Sequence, residues 1–334
     1  LVSDGQTTES TEEAQEEKDP LIPEIDTSVE IQAGSRVAVV SKSTSGEFWG
    51  LVKKGMEQAI ADVNEAYGFK KEDQVTMTFE GASDEKDVES QVNTIDAVIA
   101  ENPDVLCVSA SDMDSLQAQL EAAKENGIPV VAFDSGVTDS KMVRAFRGTD
   151  NTRVGEIAAY RLATAIGKMG KVAVFSAQEK TQSIQERVSG FTNYITNYPD
   201  IEVVEIVYQD QVDDMTAAMQ EVLDKYPQLD GVFCDNADIA DLYLDMKKDE
   251  TKDSIVMVGV DATAKQQEAI RNSKEVGVVS QQPYAMGYQT IWTALLTTAP
   301  KKSVEIKRNV RIDPAWIDSS NIDDPTYSSY LYAN

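Results

Sequence analysis

The sequence predicts an α/β protein built from two doubly wound parallel-sheet domains. Three observations carry this. From residue 36 onward, short β-branched runs alternate with amphipathic helical periods. The alternation runs through twice. The strand runs are continuously apolar rather than alternating, as parallel strands covered on both faces are. The chain has 334 residues, 41% of them hydrophobic, enough for two cores where a single core seldom grows past roughly 250–300 residues.

In chain order, the first series of strands is predicted at 36–41, 75–80, 105–109, 130–133 and 143–147. The second series falls at 171–176, 203–208, 231–234, 255–259 and 277–280. Helical periods fill the gaps at 48–67, 85–100, 116–126, 152–166, 184–197, 216–225, 239–248, 264–273 and 285–298. The punctuation agrees. Asn126-Gly127-Ile128-Pro129 ends a helix on a glycine and feeds a strand, and Gly148-Thr149-Asp150-Asn151 ends a strand and offers a capping side chain to the next helix. Residues 1–34 lack any hydrophobic period. Residues 1–30 hold ten acids and one base, a charge of 1 − 10 = −9, so this segment reads as disordered, either a frayed end or a spacer.

Composition excludes several functions. The formal charge of −28 speaks against nucleic acid and against docking on an anionic membrane, both of which need basic patches. The chain has no histidine, which removes Ser-His-Asp triads, Cys-His dyads and His-ligated metals. No run approaches the ~20 apolar residues of a membrane span. Cys107 and Cys234 sit in separate apolar strands and read as buried free thiols rather than a disulfide.

In open α/β sheets, ligands sit beyond the carboxyl ends of the strands. Those positions here carry Glu47, Phe48 and Trp49 after the first strand, and Asp134 and Ser135 after the fourth. Arg187 lies on the helix after the 171–176 strand, and Asn236, Asp261 and Gln281 follow strands of the second series. Carboxylates, amides and a guanidinium suit a ligand with several hydroxyls, each of which donates and accepts, and aromatic faces cover the C–H surface of a sugar ring. Each position also has a plainer reading. The polar residues could be helix caps, Phe48 and Trp49 a core pair, and Arg187 an ion pair with Glu186 or Asp210.

These motifs, in this order, resemble the ribose/galactose type of sugar-binding proteins that serve ABC importers. The resemblance covers roughly residues 36–318. It rests on Val37-Ala38-Val39-Val40-Ser41 with Phe48-Trp49, on Ile128-Pro129-Val130-Val131-Ala132-Phe133-Asp134, and on Arg187-Val188-Ser189-Gly190-Phe191. Phe233-Cys234-Asp235-Asn236, Val258-Gly259-Val260-Asp261 and Ser280-Gln281-Gln282-Pro283 complete it. It implies a type I periplasmic binding protein fold with a three-segment hinge, and ligand contacts from Phe48, Trp49, Asp134, Arg187, Asn236, Asp261 and Gln281. The chain departs from ribose binders at Ser135, where those have Arg, and in the ring-free loop 209–213. Glu47, Ser135, Gln182 and Gln185 are therefore expected as substitute polar contacts.

The resemblance further implies a domain plan: a disordered acidic tether over 1–34, an N-terminal lobe over 35–148 plus 283–310, a C-terminal lobe over 149–282 plus 311–322, and a tail over 323–334. It implies a monomeric, non-catalytic protein outside the cytoplasm that binds a monosaccharide-like ligand and delivers it to an ABC transporter permease. Its contact with the membrane would be a lipid anchor at the N-terminus. No cofactor and no metal are expected, since the D-x-D-x-D-G calcium loop of some galactose binders is missing. The alternatives are a sensor component presenting the same ligand to a membrane receptor, a transcription regulator's effector domain, or a glycoside-cleaving enzyme using Asp134 and Asp261.

Overall fold

A computed structural model describes residues 18–251, 253–300 and 302–332. The first sheet takes β1 (Arg36–Val40), β2 (Thr76–Glu80), β3 (Val105–Val108), β4 (Val130–Phe133), β5 (Ala145–Thr149) and β11 (Asn309–Ile312) in the order β11-β5-β4-β3-β1-β2. All its pairings are parallel. The second takes β6 (Gly170–Ser176), β7 (Ile201–Tyr208), β8 (Gly231–Cys234), β9 (Val256–Val260), β10 (Gly277–Ser280) and β12 (Ala315–Ile317) in the order β12-β10-β9-β8-β6-β7. It is parallel except where β12 runs against β10. This is the expected fold class.

Helices α1 (Glu47–Tyr67), α2 (Val88–Ala100), α3 (Gln117–Glu125) and α9 (Pro283–Leu296) belong to the first lobe. The second carries α4 (Asn151–Ala165), α5 (Gln182–Ile195), α6 (Met215–Lys225), α7 (Ala237–Met246) and α8 (Ala264–Arg271). The chain passes between the sheets three times, from β5 into α4, from β10 into α9 and from β11 into β12. Central strands β3, β4 and β8 are buried at every residue, as their unbroken apolar runs demand. The outermost strand β2 instead alternates in burial, and β7, at the edge of the second sheet, has no fully buried residue. Strands β11 and β12 were not expected as strands; at four and three residues, with Asn309 and Arg311 in the first, they are too short and too polar to stand out.

Two terminal segments depart from the expected plan. Residues 18–34, counted with the disordered tether, lie against the first lobe. Leu21, Ile22, Ile25 and Val29 pack on its core and Ile31 is buried within it. Gln289 Nε2 donates to Leu21 O at 2.7 Å and Tyr67 Oη to Val29 O at 2.6 Å. Five aliphatics supply this burial, and the surrounding acids mask them in any average over the segment. The tether reading for residues 1–17 lies outside the described residues. The expected tail is likewise folded: a 3-10 helix spans Pro325–Tyr330, Tyr332 is buried, and its N–H donates to Ala262 O at 3.1 Å.

Cys107 and Cys234 are both free and fully buried, and burial pushes both thiols up. Neither should react with a thiol reagent while the chain is native, and both should react once it is unfolded in urea. Labelling of either under native conditions would contradict the packing of β3 and β8.

Candidate functional site

The carboxyl ends of both sheets face one cleft. Its cavity, of about 160 Å³, is lined by Phe48, Trp49 and Asp134 of the first lobe together with Arg187, Asn236, Asp261 and Gln281. All seven principal residues named from the sequence therefore meet at one place. The volume lies below the roughly 300–1,000 Å³ common for drug-sized ligands, so the space suits a small molecule.

The two aspartates occupy equivalent points, directly after β4 and after β9. Both stand in the left-handed backbone region, with φ of 60° for Asp134 and 75° for Asp261. Asp and Asn tolerate that region better than most residues, but it still costs free energy and recurs where side chains must be aimed. Asp134 Oδ2 lies 3.0 Å from Lys42 Nζ in an ion pair buried on both sides, and accepts from Ser109 Oγ at 2.6 Å. Asp261 Oδ1 accepts from Gln281 Nε2 at 2.7 Å and from Tyr332 Oη at 2.6 Å, while Oδ2 accepts from Ala237 N at 2.9 Å.

Arg187, on the first turns of α5, is held from behind. Its Nε donates to Asn151 Oδ1 at 2.9 Å and its Nη1 to Asp235 O at 3.0 Å. Nη2 makes no hydrogen bond among the described residues, and the side chain borders the cavity. The anticipated rival, an ion pair with Glu186, is absent because Glu186 pairs with Arg311 at 2.9 Å. Asn236 serves twice: its Oδ1 caps α7, accepting from Ile239 N at 2.9 Å, and its residue lines the cavity. Gln281 Oε1 accepts from Thr149 Oγ1 at 2.7 Å, which joins two of the three interlobe passages beneath the site. Phe48 and Trp49 meet edge to face, 5.0 Å apart at 85°, and both reach into the core while one side of each lines the cavity.

The four secondary residues divide. Glu47 lines the cavity and accepts from Ala264 N of the other lobe at 3.1 Å. Ser135 and Gln182 do not line it. Ser135 Oγ donates to Ser183 Oγ at 2.7 Å, and Gln182 Oε1 accepts from Gly136 N at 2.8 Å, so both spend their polar atoms on direct lobe-to-lobe bonds. Gln185 points to solvent on α5, two residues before the buried Arg187 and so turned roughly 200° about the helix axis from it.

Sequence reading missed Lys42, Glu85, Asp238, Asp241, Thr263 and Tyr332. Lys42 sits at a strand end and Asp238 and Asp241 one turn apart on α7, signals that existed but competed with ordinary surface charge. Tyr332 had none, because it arrives from the far end of the chain.

The cavity is acidic. Six of its residues carry carboxyls (Glu47, Glu85, Asp134, Asp238, Asp241, Asp261) against the cations of Lys42 and Arg187. Desolvation in the cleft, with Glu85, Asp261 and Asp241 facing it, pushes Asp238 up to about 7. Desolvation pushes Asp241 up to about 6, against the hydroxyl of Thr263 that donates to it. Behind Arg187, burial pushes Asp235 up to about 7 although Ser176 donates to it.

Two doubly wound lobes joined by three passages, with a small polar cavity between their strand ends, define a type I periplasmic binding protein. Residues 37–299 match the periplasmic binding protein domain, and the chain belongs to that family. No described helix is long and apolar enough to cross a membrane. Over 203 residues it is 27% identical to the ribose import binding protein of Bacillus subtilis, covering 61% of this chain and 66% of that one. Over 191 residues it is 24% identical to the Escherichia coli ribose import binding protein, covering 57% and 64%. The matches thus span slightly less than two thirds of these relatives. An Agrobacterium vitis ABC transporter solute-binding protein with bound D-fucose superposes with a TM-score of 0.81 at 28% identity, covering 89% of this chain and all of that one. An Agrobacterium radiobacter carbohydrate transporter solute-binding protein in complex with D-arabinose gives 0.79 at 27% identity, covering 89% and 98%. All four are import or transporter binding proteins.

Proposed function

We propose that this protein captures a monosaccharide-like ligand between its lobes and hands it to an ABC importer. The observation that carries the reading is the meeting of seven predicted residues from both lobes in one small cavity. Arg187 Nη2 and the amide of Asn236 donate to ligand oxygens, Asp134 and Asp261 accept from hydroxyls, and Phe48 and Trp49 cover the ring. Micromolar affinity needs about −8 kcal/mol, which a few charge-assisted bonds of about 1.5–3 kcal/mol each and a buried ring supply after ordering costs.

Entry requires the lobes to part about the three passages, which breaks the bonds from Ser135 to Ser183, from Gly136 to Gln182 and from Arg311 to Glu186. A ligand touching both lobes restores them and favours the closed form. In this reading the protein works outside the cytoplasm as a monomer, held near its permease by a lipid attached ahead of the acidic N-terminal segment.

A thermal-shift screen over pentoses, hexoses, polyols and nucleosides tests the reading. A ligand at a hundred times its Kd stabilises the native state by about 2.7 kcal/mol, so a true ligand raises the melting temperature clearly. A flat response to every sugar and polyol contradicts it.

A further inference from the structure

Away from the cleft, the second lobe buries a carboxyl that no donor among the described residues reaches. Glu275, between α8 and β10, is 2% exposed, and neither of its carboxyl oxygens has a hydrogen-bond partner. It faces Gln266, which is fully buried. The Gln266 amide nitrogen donates to Val260 O at 2.9 Å, while its Oε1 is also without a donor. Gly259 leaves the space that borders both: a β-carbon there would lie 2.3 Å from Gln266 Oε1 and 2.9 Å from Glu275 Oε2. Both oxygens thus border a space that one methyl group would fill. Two buried acceptors that border one space repel unless a donor lies between them.

We propose that Glu275 is kept as the neutral acid, donates its proton to Gln266 Oε1, and is thereby a positioning residue for the strand end that carries Asp261. The linkage is short. Gln266 Nε2 holds the carbonyl of Val260, the residue before Asp261, whose left-handed backbone needs that support. Gln266 N donates to Thr263 Oγ1 at 3.1 Å, and the Thr263 hydroxyl donates to Asp241 at 2.7 Å; both of those residues line the cavity. Loss of the proton would remove the donor to Gln266 and set a second negative charge against Asp241.

The ionisable groups that act on this carboxyl support a neutral state. Burial first, and then Asp241 from α7, push it well above the ordinary carboxyl range. The buried thiol of Cys234 on β8, itself pushed up by burial, offers no positive charge. A carboxyl raised in the folded state contributes stability that is complete below its unfolded value and is lost as pH rises through its folded value. None of this depends on which ligand the cleft takes.

Thermal unfolding of the whole chain and its Glu275→Gln and Glu275→Met variants, followed from about pH 5 to about pH 9, tests the proposal. Glutamine keeps a donor for Gln266 and carries no charge. Its melting temperature should exceed that of the parent by a margin that widens as pH rises, the two converging toward pH 4.5, the ordinary glutamate value. Methionine fills the space without a donor. Hydrogen exchange across 256–271 at about pH 6 should be faster in Glu275→Met than in the parent and restored in Glu275→Gln. A constant offset between parent and Glu275→Gln at all pH values would overturn the proton. Equal exchange in the two variants would overturn the positioning role.

Discussion

Replacing Asp261 with alanine should weaken ligand binding at least tenfold, and by far more if both carboxylate oxygens face the ligand's hydroxyls. The substitution removes the acceptor for Gln281 Nε2, Tyr332 Oη and Ala237 N together. Gln281 and Tyr332 are buried, and each donor left without a partner costs about 1–3 kcal/mol. Alanine also lacks the tolerance of Asp and Asn for the backbone at this point, where φ is 75°. Stability should therefore fall by several kcal/mol in urea unfolding while the chain still folds. Asp261→Asn, which keeps the backbone preference and one acceptor, should recover most of the stability and only part of the affinity. Wild-type affinity in Asp261→Ala, read by calorimetry, would show that this carboxylate lies outside the ligand contacts.

Gly155→Ala should destabilise the second lobe by about 3 kcal/mol or more, in the range of a severe overpacking defect. Alanine inside a helix ordinarily gains up to about 1 kcal/mol over glycine, so the sign of the effect decides between propensity and packing. Packing should win. A β-carbon at Gly155 would stand 2.1 Å from Arg187 O and 2.6 Å from Phe191 N, both backbone atoms of α5 that cannot rotate away. Gly190 makes the reciprocal approach: a β-carbon there would stand 2.3 Å from Thr152 O. Helices α4 and α5 thus touch backbone to backbone, and pushing them apart moves Arg187 off Asn151, to which it donates at 2.9 Å. The variant should lose melting temperature and ligand affinity together. A melting temperature equal to or above that of the parent would contradict the close approach of these helices.

The parts of this molecule that sequence alone makes legible are those where one physical cause dominates. Strands such as β4 and β8 are buried on both faces, so their apolar runs have no competing reading. Asp134 and Asp261 stand out because a charged residue ends an apolar run at the place where open sheets receive ligands. The illegible parts depend on contacts between distant segments. Tyr332 reaches Asp261 from seventy-one positions away. Ser135 and Gln182 look like ligand contacts, but each finds its partner in the opposite lobe. The aliphatics between Leu21 and Ile31 are too sparse for a period, and only the exposed flank of the first core gives them a place. Arg187 shows the middle case: its motif located it, but only the structure shows that Asn151 and Asp235 hold it while Nη2 stays free.

Calorimetric titration of the best ligand from the sugar and polyol screen decides whether both lobes clasp one small hydroxylated molecule. The parent should be compared with one variant in each lobe, Asp134→Asn in the first and Arg187→Ala in the second. The parent should bind one molecule per chain with micromolar or tighter affinity. Each variant should lose at least tenfold, about 1.4 kcal/mol, with both still folded. If either variant binds as the parent does, that lobe does not contribute to the site and the clasp between the lobes is contradicted.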